Sequence, residues 1–304
     1  MSASQTLRVG VHPQSPAGPL LQRAPALQDV RDALGSDVAL VAYAHGTQTP
    51  EHFLGQRIDV GLTGATPPLT IQAAGADIVY LGVGQPRPDS GALVVPTDSP
   101  IRSVADLRER RVGFAVGSWH SAFVALALDA QGLGYEQIQA VSYVQTGGRL
   151  DPSRVDAWVA RPEDIDSPEV RVLVRSGSLW SNRSVVFARR SALTDEAGVA
   201  RAARLLTALQ ATGLWLGRHP DAAAALLEDI SPVGRAALQR GFEIQPGAEG
   251  LSRPGADFLQ EQQRAADVLS RAGVFAPIAL APTLDAPLLD QVWGRVAEAN
   301  APVH

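Results

Sequence analysis

The stretch that most constrains the fold is Val60–Leu81, where a short apolar strand passes at once into a proline-led helix. Ile58–Leu62 has the β-branched character of a strand, and Gly64 permits a sharp turn after it. Thr66 followed by Pro67 predicts an N-cap with proline at the first helical position. A strand that leads directly into a helix is typical of α/β proteins, and we expect this chain to belong to that class.

The same junction predicts unpaired backbone N–H groups at the carboxyl edge of a sheet. The first N–H groups of a helix have no partner within the helix, and the helix dipole places positive potential there. In α/β proteins this edge is where ligands bind. The local pattern leaves two interpretations open, which are an anion site and a well-capped strand–helix unit that binds nothing.

Short apolar runs alternate with helical patterns along the chain, as in parallel sheets covered on both faces. We expect strands at Arg8–Val11, Val38–Tyr43, Ile58–Leu62, Ile78–Gly82, Gly91–Val95, Val112–Val116, Ile138–Tyr143, Asp156–Val159, Val170–Val174 and Ser184–Ala188. We expect helices at Gly18–Leu34, Pro50–Gln56, Pro67–Ala74 and Ala122–Ala130. After Ala192 the chain becomes helical, with core-facing stripes at Val199, Leu206, Leu209 and Leu216 and at Leu288, Leu289, Val292 and Val296.

Composition sets loose bounds on partners and chemistry. The chain has 304 residues, 45% hydrophobic and 19% charged, which is ordinary for a globular protein of about two domains. Its net charge is −5 and all 26 Lys+Arg residues are arginine, so we expect no nucleic-acid partner. The absence of cysteine excludes disulfides, thiolate zinc sites and a cysteine nucleophile. The histidines have no metal-ligand spacing, and we expect no metal and no cofactor.

The beginning of the chain has no secretory pattern. Met1–Arg8 lacks a basic segment followed by an apolar one, and no run approaches the ~18 apolar residues of a membrane helix. Two interpretations remain open. Either the chain begins near the mature start of an exported protein, or the protein stays in the cytoplasm.

Several motifs stand in a fixed order along the first half of the chain. They are T-G-x-x-P-P at Thr63–Pro68, Q-A-A-G-A-D at Gln72–Asp77, V-P-T-D-S-P-I at Val95–Ile101, S-V-A-D-L at Ser103–Leu107, Gly117-Ser118, and V-D-A-W-V at Val155–Val159. This series resembles the aliphatic sulfonate-binding proteins of ABC transporters, members of the type 2 periplasmic binding protein superfamily. Beyond Arg161 the resemblance depends mainly on length and helical pattern.

The resemblance implies an α/β, two-lobed type 2 periplasmic-binding-protein fold, with two doubly wound sheets joined by two crossing strands. Residues 1–92 and 187–304 would form the first lobe, and residues 93–186 the inserted second lobe. The implied function is capture of a small organosulfonate or related oxyanion in the cleft, with closure of the lobes, for an ABC importer. The implied partners are that anionic ligand and, if the chain is exported, an ABC permease. We expect a monomer at a periplasmic or cell-surface location.

The second candidate helix start is Gly117-Ser118-Trp119-His120, after the strand at Val112–Val116. Ser118 can be an N-cap while neighbouring amides face the cleft. The functional interpretation is that these amides grip an oxyanion opposite Thr63-Gly64-Ala65, and the structural one needs only the cap. Trp119 and His120 replace the small residues usual in the family, which changes the expected ligand size. A tryptophan at a helix start is more often packing than a stacking platform.

Arg161 follows the strand that contains Trp158, where the family usually has an aromatic residue. A guanidinium offers a planar fork to a sulfonate, carboxylate or phosphate. The competing interpretation is a solvated surface pair with Glu163 or Asp164. His12 and Gln14 follow the first strand and can line the same cleft, although a polar loop needs no ligand to explain it. Trp119 and Trp158 can add apolar contact, and Arg87 is a weaker candidate for an anion contact.

The main alternative is a cytosolic enzyme on the same fold, of the desulfinase type or of the thiamine- or menaquinone-precursor type. His120 would then be the residue to test as a general base, because imidazole titrates near neutrality. The missing cysteine counts against thiol-dependent members, and no catalytic triad is indicated. A third possibility is a regulatory module of the same shape, although no DNA-binding segment is attached. Under the main interpretation no residue is catalytic.

Overall fold

The structure, a computed structural model, describes residues 6–88, 90–142, 152–231, 233–244 and 250–301. Its strands are β1 Leu7–Val11, β2 Val38–Ala42, β3 Val60–Gly64, β4 Ile78–Gly84, β5 Ala92–Pro96, β6 Arg111–Phe114, β7 Gln139–Ser142, β8 Ala157–Ala160, β9 Val170–Arg175, β10 Ser184–Arg189 and β11 Leu251–Ser252. Its α-helices are α1 Ala17–Arg23, α2 Gln28–Asp32, α3 Thr49–Leu54, α4 Thr66–Ala73, α5 Trp119–Asp129, α6 Pro162–Ile165, α7 Glu196–Arg218, α8 Pro220–Leu227, α9 Arg235–Ile244, α10 Ala256–Arg271 and α11 Ala286–Ala299.

The strands form two mixed sheets, one in each lobe. The first sheet has six strands in the order β11-β4-β10-β3-β1-β2, and the second has five in the order β7-β6-β8-β5-β9. In the first sheet β1 pairs in parallel with β2 and β3, whereas β10 pairs antiparallel with β3 and β4. In the second, β6 pairs in parallel with β7 and β8, whereas β5 pairs antiparallel with β8 and β9. The two-lobed α/β fold is therefore confirmed.

The expectation of purely parallel sheets is wrong at β5 and β10. Each of these strands follows a crossing from the other lobe and enters its sheet against the direction of its neighbours. Every strand that the sequence predicts is present, although the ends differ by one or two residues. Tyr143, the last residue of one predicted strand, lies outside the described residues. The lobe boundaries at 92/93 and 186/187 stay a prediction.

The predicted helix Gly18–Leu34 is wrong as a single helix. The chain forms α1, then a 3₁₀ turn at Pro25–Leu27, and then α2. Ala24 is extended, with φ −73° and ψ 118°, because the residue before a proline is disfavoured in the helical region. Pro25 also lacks the N–H that would continue the helix. The short β11 was not predicted, since two residues show no periodicity.

The two crossings are irregular segments that follow β4 and β9, and they hydrogen-bond to each other. The Arg87 amide donates to the Ser181 carbonyl (2.7 Å), and the Gly177 amide donates to the Pro88 carbonyl (2.9 Å). A third bond runs from the Ser176 amide to the Gly91 carbonyl (2.9 Å). The two expected crossings are thus irregular segments that hydrogen-bond to each other, and each is flanked by regular strands.

Helix α5 packs against both lobes. Phe123, Val124 and Leu128 lie in the core of the second sheet, whereas Ala122 and Leu126 belong to a cluster with residues of α4 and α10. The predicted stripes on α7 and α11 face the other side of the first sheet, except for Leu216, which lies in a separate cluster with Leu227. Their members are buried apart from Leu288, which is partly buried. The start of α5 is therefore fixed at the junction of the lobes.

Candidate ligand-binding cavity

A cavity of about 480 Å³ lies between the lobes. Its polar wall is formed by the carboxyl ends of β1, β3, β6 and β8 and by the segments that follow them. Most residues predicted for the site border it: His12, Gln14, Thr63, Gly64, Ser118, Trp119, His120 and Arg161. Ala65, Gly117 and Trp158 do not border the cavity.

The turn between β3 and α4 differs from the prediction at its cap. Ala65 is the N-cap although its angles, φ −74° and ψ −14°, are helical, and Thr66 is the first helical residue. The Thr66 hydroxyl is buried with no hydrogen-bond partner among the described residues. Pro67 and Pro68 occupy the first turn and have no N–H to offer it. The N-cap assignment of Thr66 is wrong, and this turn has fewer backbone donors than its helical start suggests.

A buried amide holds this turn in place from the opposite side. Gln262 of α10 is almost fully buried, and its Nε2 donates to the Ala65 carbonyl (2.5 Å) and to the Tyr80 hydroxyl (3.1 Å). Ala65 therefore positions the turn from within the protein and is itself buried.

The predicted cap at the start of α5 is confirmed. Ser118 has extended angles, and its Oγ accepts from the His120 amide (3.2 Å). The same hydroxyl donates to the Ala115 carbonyl (2.7 Å). Gly117 before it has φ +84°, in the left-handed region that glycine adopts without strain. The turn therefore directs the first residues of α5 toward the cavity.

The amides of this turn are mostly used within the protein. Gly117 donates to the Ser121 Oγ (2.8 Å), and the Ser118 amide donates to the Ala115 carbonyl (3.2 Å). Among the described residues, the Val116 and Trp119 amides of this turn have no hydrogen-bond partner. The backbone alone therefore supplies little to an oxyanion here, and side chains must supply more.

His120 is such a side chain, and its neighbours fix its protonation. It is 6% exposed, and its Nδ1 accepts a hydrogen bond from the Ala115 amide (3.2 Å). Because that nitrogen accepts, the proton of the neutral ring is on Nε2. Burial, and then the positive charge of Arg161, lower the pKa of His120 to about 3. His120 is thus a neutral hydrogen-bond donor at physiological pH and a weak base.

Arg161 lies at the carboxyl end of β8 and is the N-cap of α6. It borders the cavity, and its charge acts on His120. The Glu163 side chain, offered as a surface partner, lies outside what the structure describes. Arg161 and His120 therefore bring a positive charge and a neutral N–H to one region of the cavity.

His12 and Gln14 border the cavity from the first lobe. His12 is 2% exposed, and its Nε2 donates to the Leu62 carbonyl (2.9 Å). Burial lowers the pKa of His12 to about 4 despite its hydrogen bonds. Gln14 Oε1 accepts from the Gly46 amide (2.8 Å) and so fixes the loop that follows β2. This histidine is also neutral near pH 7.

Trp119 packs and also borders the cavity. It contacts the apolar clusters of both lobes, and its ring centroid is 4.4 Å from that of His120. A Cβ at Gly91 would lie 2.9 Å from the Trp119 ring. Trp158, in contrast, packs against Ile165 and its neighbours in a separate apolar cluster. Apolar contact with a ligand is therefore open to Trp119, and Trp158 supports the lobe.

A family model for NMT1/THI5-like proteins matches residues 33–223, which is more than half of the chain. The chain belongs to the NMT1/THI5-like family.

The proteins that this NMT1/THI5-like chain resembles include binding proteins and an enzyme. It is 35% identical over 159 residues to an aliphatic sulfonates-binding protein of Escherichia coli (strain K12), which is 52% of this chain and 49% of that one. The chain thus matches about half the length of this curated relative. The crystal structure of the periplasmic aliphatic sulphonate binding protein SsuA from Escherichia coli matches at 24% identity and a TM-score of 0.76, covering 95% and 99% of the two chains. The desulfurization enzyme DSZB matches at 20% identity and a TM-score of 0.61, covering 96% and 99%. At these identities the structural matches show a shared fold.

Two parts of the wall of the NMT1/THI5-like cavity were not predicted from the sequence. Asn182, on the second crossing, borders the cavity with φ +45° and accepts at its carbonyl from Arg87 Nε (2.8 Å). An asparagine just before a strand is a known signal for such a left-handed turn. The second part is a wall from α7 and α9, which includes Leu216, a residue predicted only as core. Helical periodicity cannot distinguish a face against core from a face against a cavity.

No described helix of the NMT1/THI5-like chain combines the length and apolar character needed to cross a bilayer. Within the same described part, no group of three or more His, Asp or Glu side chains is arranged to hold a metal ion.

Proposed function

We propose that this chain is the solute-binding protein of an ABC importer and captures an organosulfonate or related oxyanion between its lobes. The observation that carries the proposal is that Arg161 and His120 both border the cavity, close enough for the charge of Arg161 to lower the pKa of His120. The neutral His120 ring and the Arg161 guanidinium can both donate hydrogen bonds, and an oxyanion such as a sulfonate only accepts them. A charge-assisted hydrogen bond contributes about 1.5–3 kcal/mol.

The proposed contacts follow from the cavity wall. Arg161, His120 and the Trp119 amide would hold the anionic head, with Ser118 fixing their geometry. Thr63 and Gly64 would face it from the first lobe, together with His12 and Gln14. Ala65, Gly117 and Trp158 would act by positioning these groups.

Partners and location are proposed from the relatives. The match to periplasmic sulphonate-binding structures supports export to the periplasm or cell surface and an ABC permease as partner. We propose a monomer that closes by bending at the two crossings. In such a protein the ligand favours the closed state only by the contacts that the open state lacks.

The proposal is tested by thermal shift with a panel of sulfonates, sulfate, nitrate, carboxylates, neutral sugars and amino acids. A ligand that binds the native state raises the melting temperature by mass action. We expect stabilisation by oxyanions, with sulfonates strongest, and none by sugars. Stabilisation by neutral sugars or amino acids without any by oxyanions would reject the proposal.

The enzyme alternative meets a chemical difficulty at His120. A general base needs a free lone pair and a pKa near the working pH, whereas His120 has its Nδ1 occupied and a pKa of about 3. Mass spectrometry of the protein after long incubation with sulfonates and sulfinates decides the matter. Unchanged ligand supports the binding protein. Conversion of a sulfonate or sulfinate to product that is lost in His120→Ala would show that the protein is an enzyme instead.

A further inference from the structure

The cavity extends well past Arg161 and His120 to a second, apolar region. We call this region the apolar chamber and define it by Gly213 and Leu216 of α7 and by Leu238, Gly241 and Phe242 of α9. Leu216 follows Gly213 by three residues, and Gly241 and Phe242 follow Leu238 by three and four, so the positions on each helix share one face. The faces that α7 and α9 turn to the cavity therefore carry apolar side chains or none.

Helix α9 is covered incompletely by the protein. None of its side chains is fully buried. Leu238 and Phe242 are partly buried against Leu216 and Leu227, and both border the cavity. Apolar surface in contact with water is unfavourable, so an apolar ligand group would be stabilised against this face.

The chamber adjoins the charged end of the cavity. Helix α9 packs against α6, which begins immediately after Arg161. A head group at Arg161 would therefore place its substituent toward α9. The size of the cavity agrees, because about 480 Å³ falls in the range of roughly 300–1,000 Å³ that takes ligands far larger than one sulfonate group.

We infer that the ligand is an amphiphilic sulfonate whose bulky apolar tail, a long alkyl chain or an aryl ring, lies in the apolar chamber. The face of α9 then determines which tails are accepted. This inference rests on the proposed function and specifies its ligand class.

The test fills the chamber and leaves the head site intact. A Cβ at Gly241 meets no heavy atom within 4 Å, so Gly241→Leu adds its side chain to open cavity space. Gly294→Leu is the matched control, because a Cβ there also meets nothing and this exposed position of α11 lies outside the cavity wall. Both changes replace glycine within a helix and favour helix formation, and melting temperatures verify the folding of each variant.

Calorimetry is carried out with ethanesulfonate, octanesulfonate, 2-naphthalenesulfonate and octanol, below the concentrations at which they self-associate. In the unmodified protein we expect affinity to rise about fourfold for each methylene that enters the chamber. Gly241→Leu should weaken octanesulfonate and naphthalenesulfonate at least about tenfold and leave ethanesulfonate within about twofold. Gly294→Leu should behave like the unmodified protein, and octanol should not bind measurably.

Affinity that does not depend on tail length, or a Gly241→Leu variant that binds octanesulfonate as the unmodified protein does, would overturn the inference and leave the proposed function standing. Failure of every sulfonate to bind would instead reject the proposed function.

Discussion

His120 depends on two neighbours for its proposed role, the Ala115 amide and the Arg161 guanidinium. The amide fixes the tautomer, and burial together with the guanidinium keeps the ring neutral. The sequence could nominate this histidine, because it follows Gly117-Ser118 at a helix start. It could not give the protonation state, which depends on contacts that form only on folding. A residue suspected as a base is therefore better described as a donor.

Arg161→Ala should weaken anion binding by roughly 1.5–3 kcal/mol, about ten- to a hundredfold, because one charge-assisted contact is lost. The melting temperature of the free protein should change little. NMR titration should also show a higher pKa for His120, since the charge of Arg161 is one cause of its lowering.

The matched control for this prediction is Arg57→Ala. Arg57 is exposed and pairs at the surface with Glu51, so its removal changes the net charge equally without touching the cavity. If calorimetry gives equal affinities for the Arg161→Ala variant and the unmodified protein, Arg161 does not contribute to anion binding.

Helix α10 connects the binding site to the crossings. Gln262 holds the Ala65 carbonyl beside β3, and the adjacent Glu261 accepts from the Ser181 amide and hydroxyl on the second crossing. The pattern of α10 in the sequence indicates an amphipathic helix and gives no sign of this function. Tertiary contacts between residues 80 and 197 positions apart in the sequence create it, the longer being that of Gln262 with Ala65.

Gln262→Ala should destabilise the turn between β3 and α4. The change leaves the buried Ala65 carbonyl and Tyr80 hydroxyl without this donor, and it should lower the free energy of unfolding by about 1–3 kcal/mol. Urea unfolding measures the effect. Gln239→Ala on α9 removes an exposed amide that bonds, within the described part of the chain, only to nearby Glu243, and it serves as the control. A loss no larger than in that control would show that the buried amide does not stabilise the turn.

Sequence patterns predicted the elements well where one local rule decides them. The strand–turn–helix units at Gly64 and Ser118 are present, and the Ser118 cap forms as its residue type suggests. The prediction failed where two rules compete, as at Thr66, where prolines remove the amides that a cap would bind. It also failed at Leu216 of α7, because a helical stripe looks the same against a cavity as against a core.

Across the whole molecule, two histidines are buried neutral between the lobes. In the unfolded chain each binds a proton near pH 6.5. In the folded protein burial lowers the pKa of His12 to about 4 and that of His120 to about 3. Between the pKa of each histidine in the folded protein and its pKa in the unfolded chain, the unfolded state binds more protons. The folded state therefore loses stability as the pH falls through this range.

The free energy of unfolding should therefore decrease below about pH 6.5, by up to about 1.4 kcal/mol per pH unit for each of the two histidines. Urea unfolding at about pH 7, 6 and 5 measures this slope. The hydrogen bond from Arg111 lowers the pKa of Asp156, so carboxylates of this kind change the free energy of unfolding only in more acidic solution. His120→Gln should reduce the slope by about half. Constant stability from pH 7 to pH 5 would contradict the neutral burial of these rings.

The place of β10 between β3 and β4 has a consequence for how the chain acquires its structure. A ribosome releases the whole second lobe before it releases the strand that completes the centre of the first sheet. Until then β3 and β4 each present an unpaired edge, which can join other chains. The first lobe must therefore wait for a contact that spans more than a hundred residues, and such distant pairings form slowly. This topology favours synthesis in which the nascent chain is shielded until Arg189 has emerged.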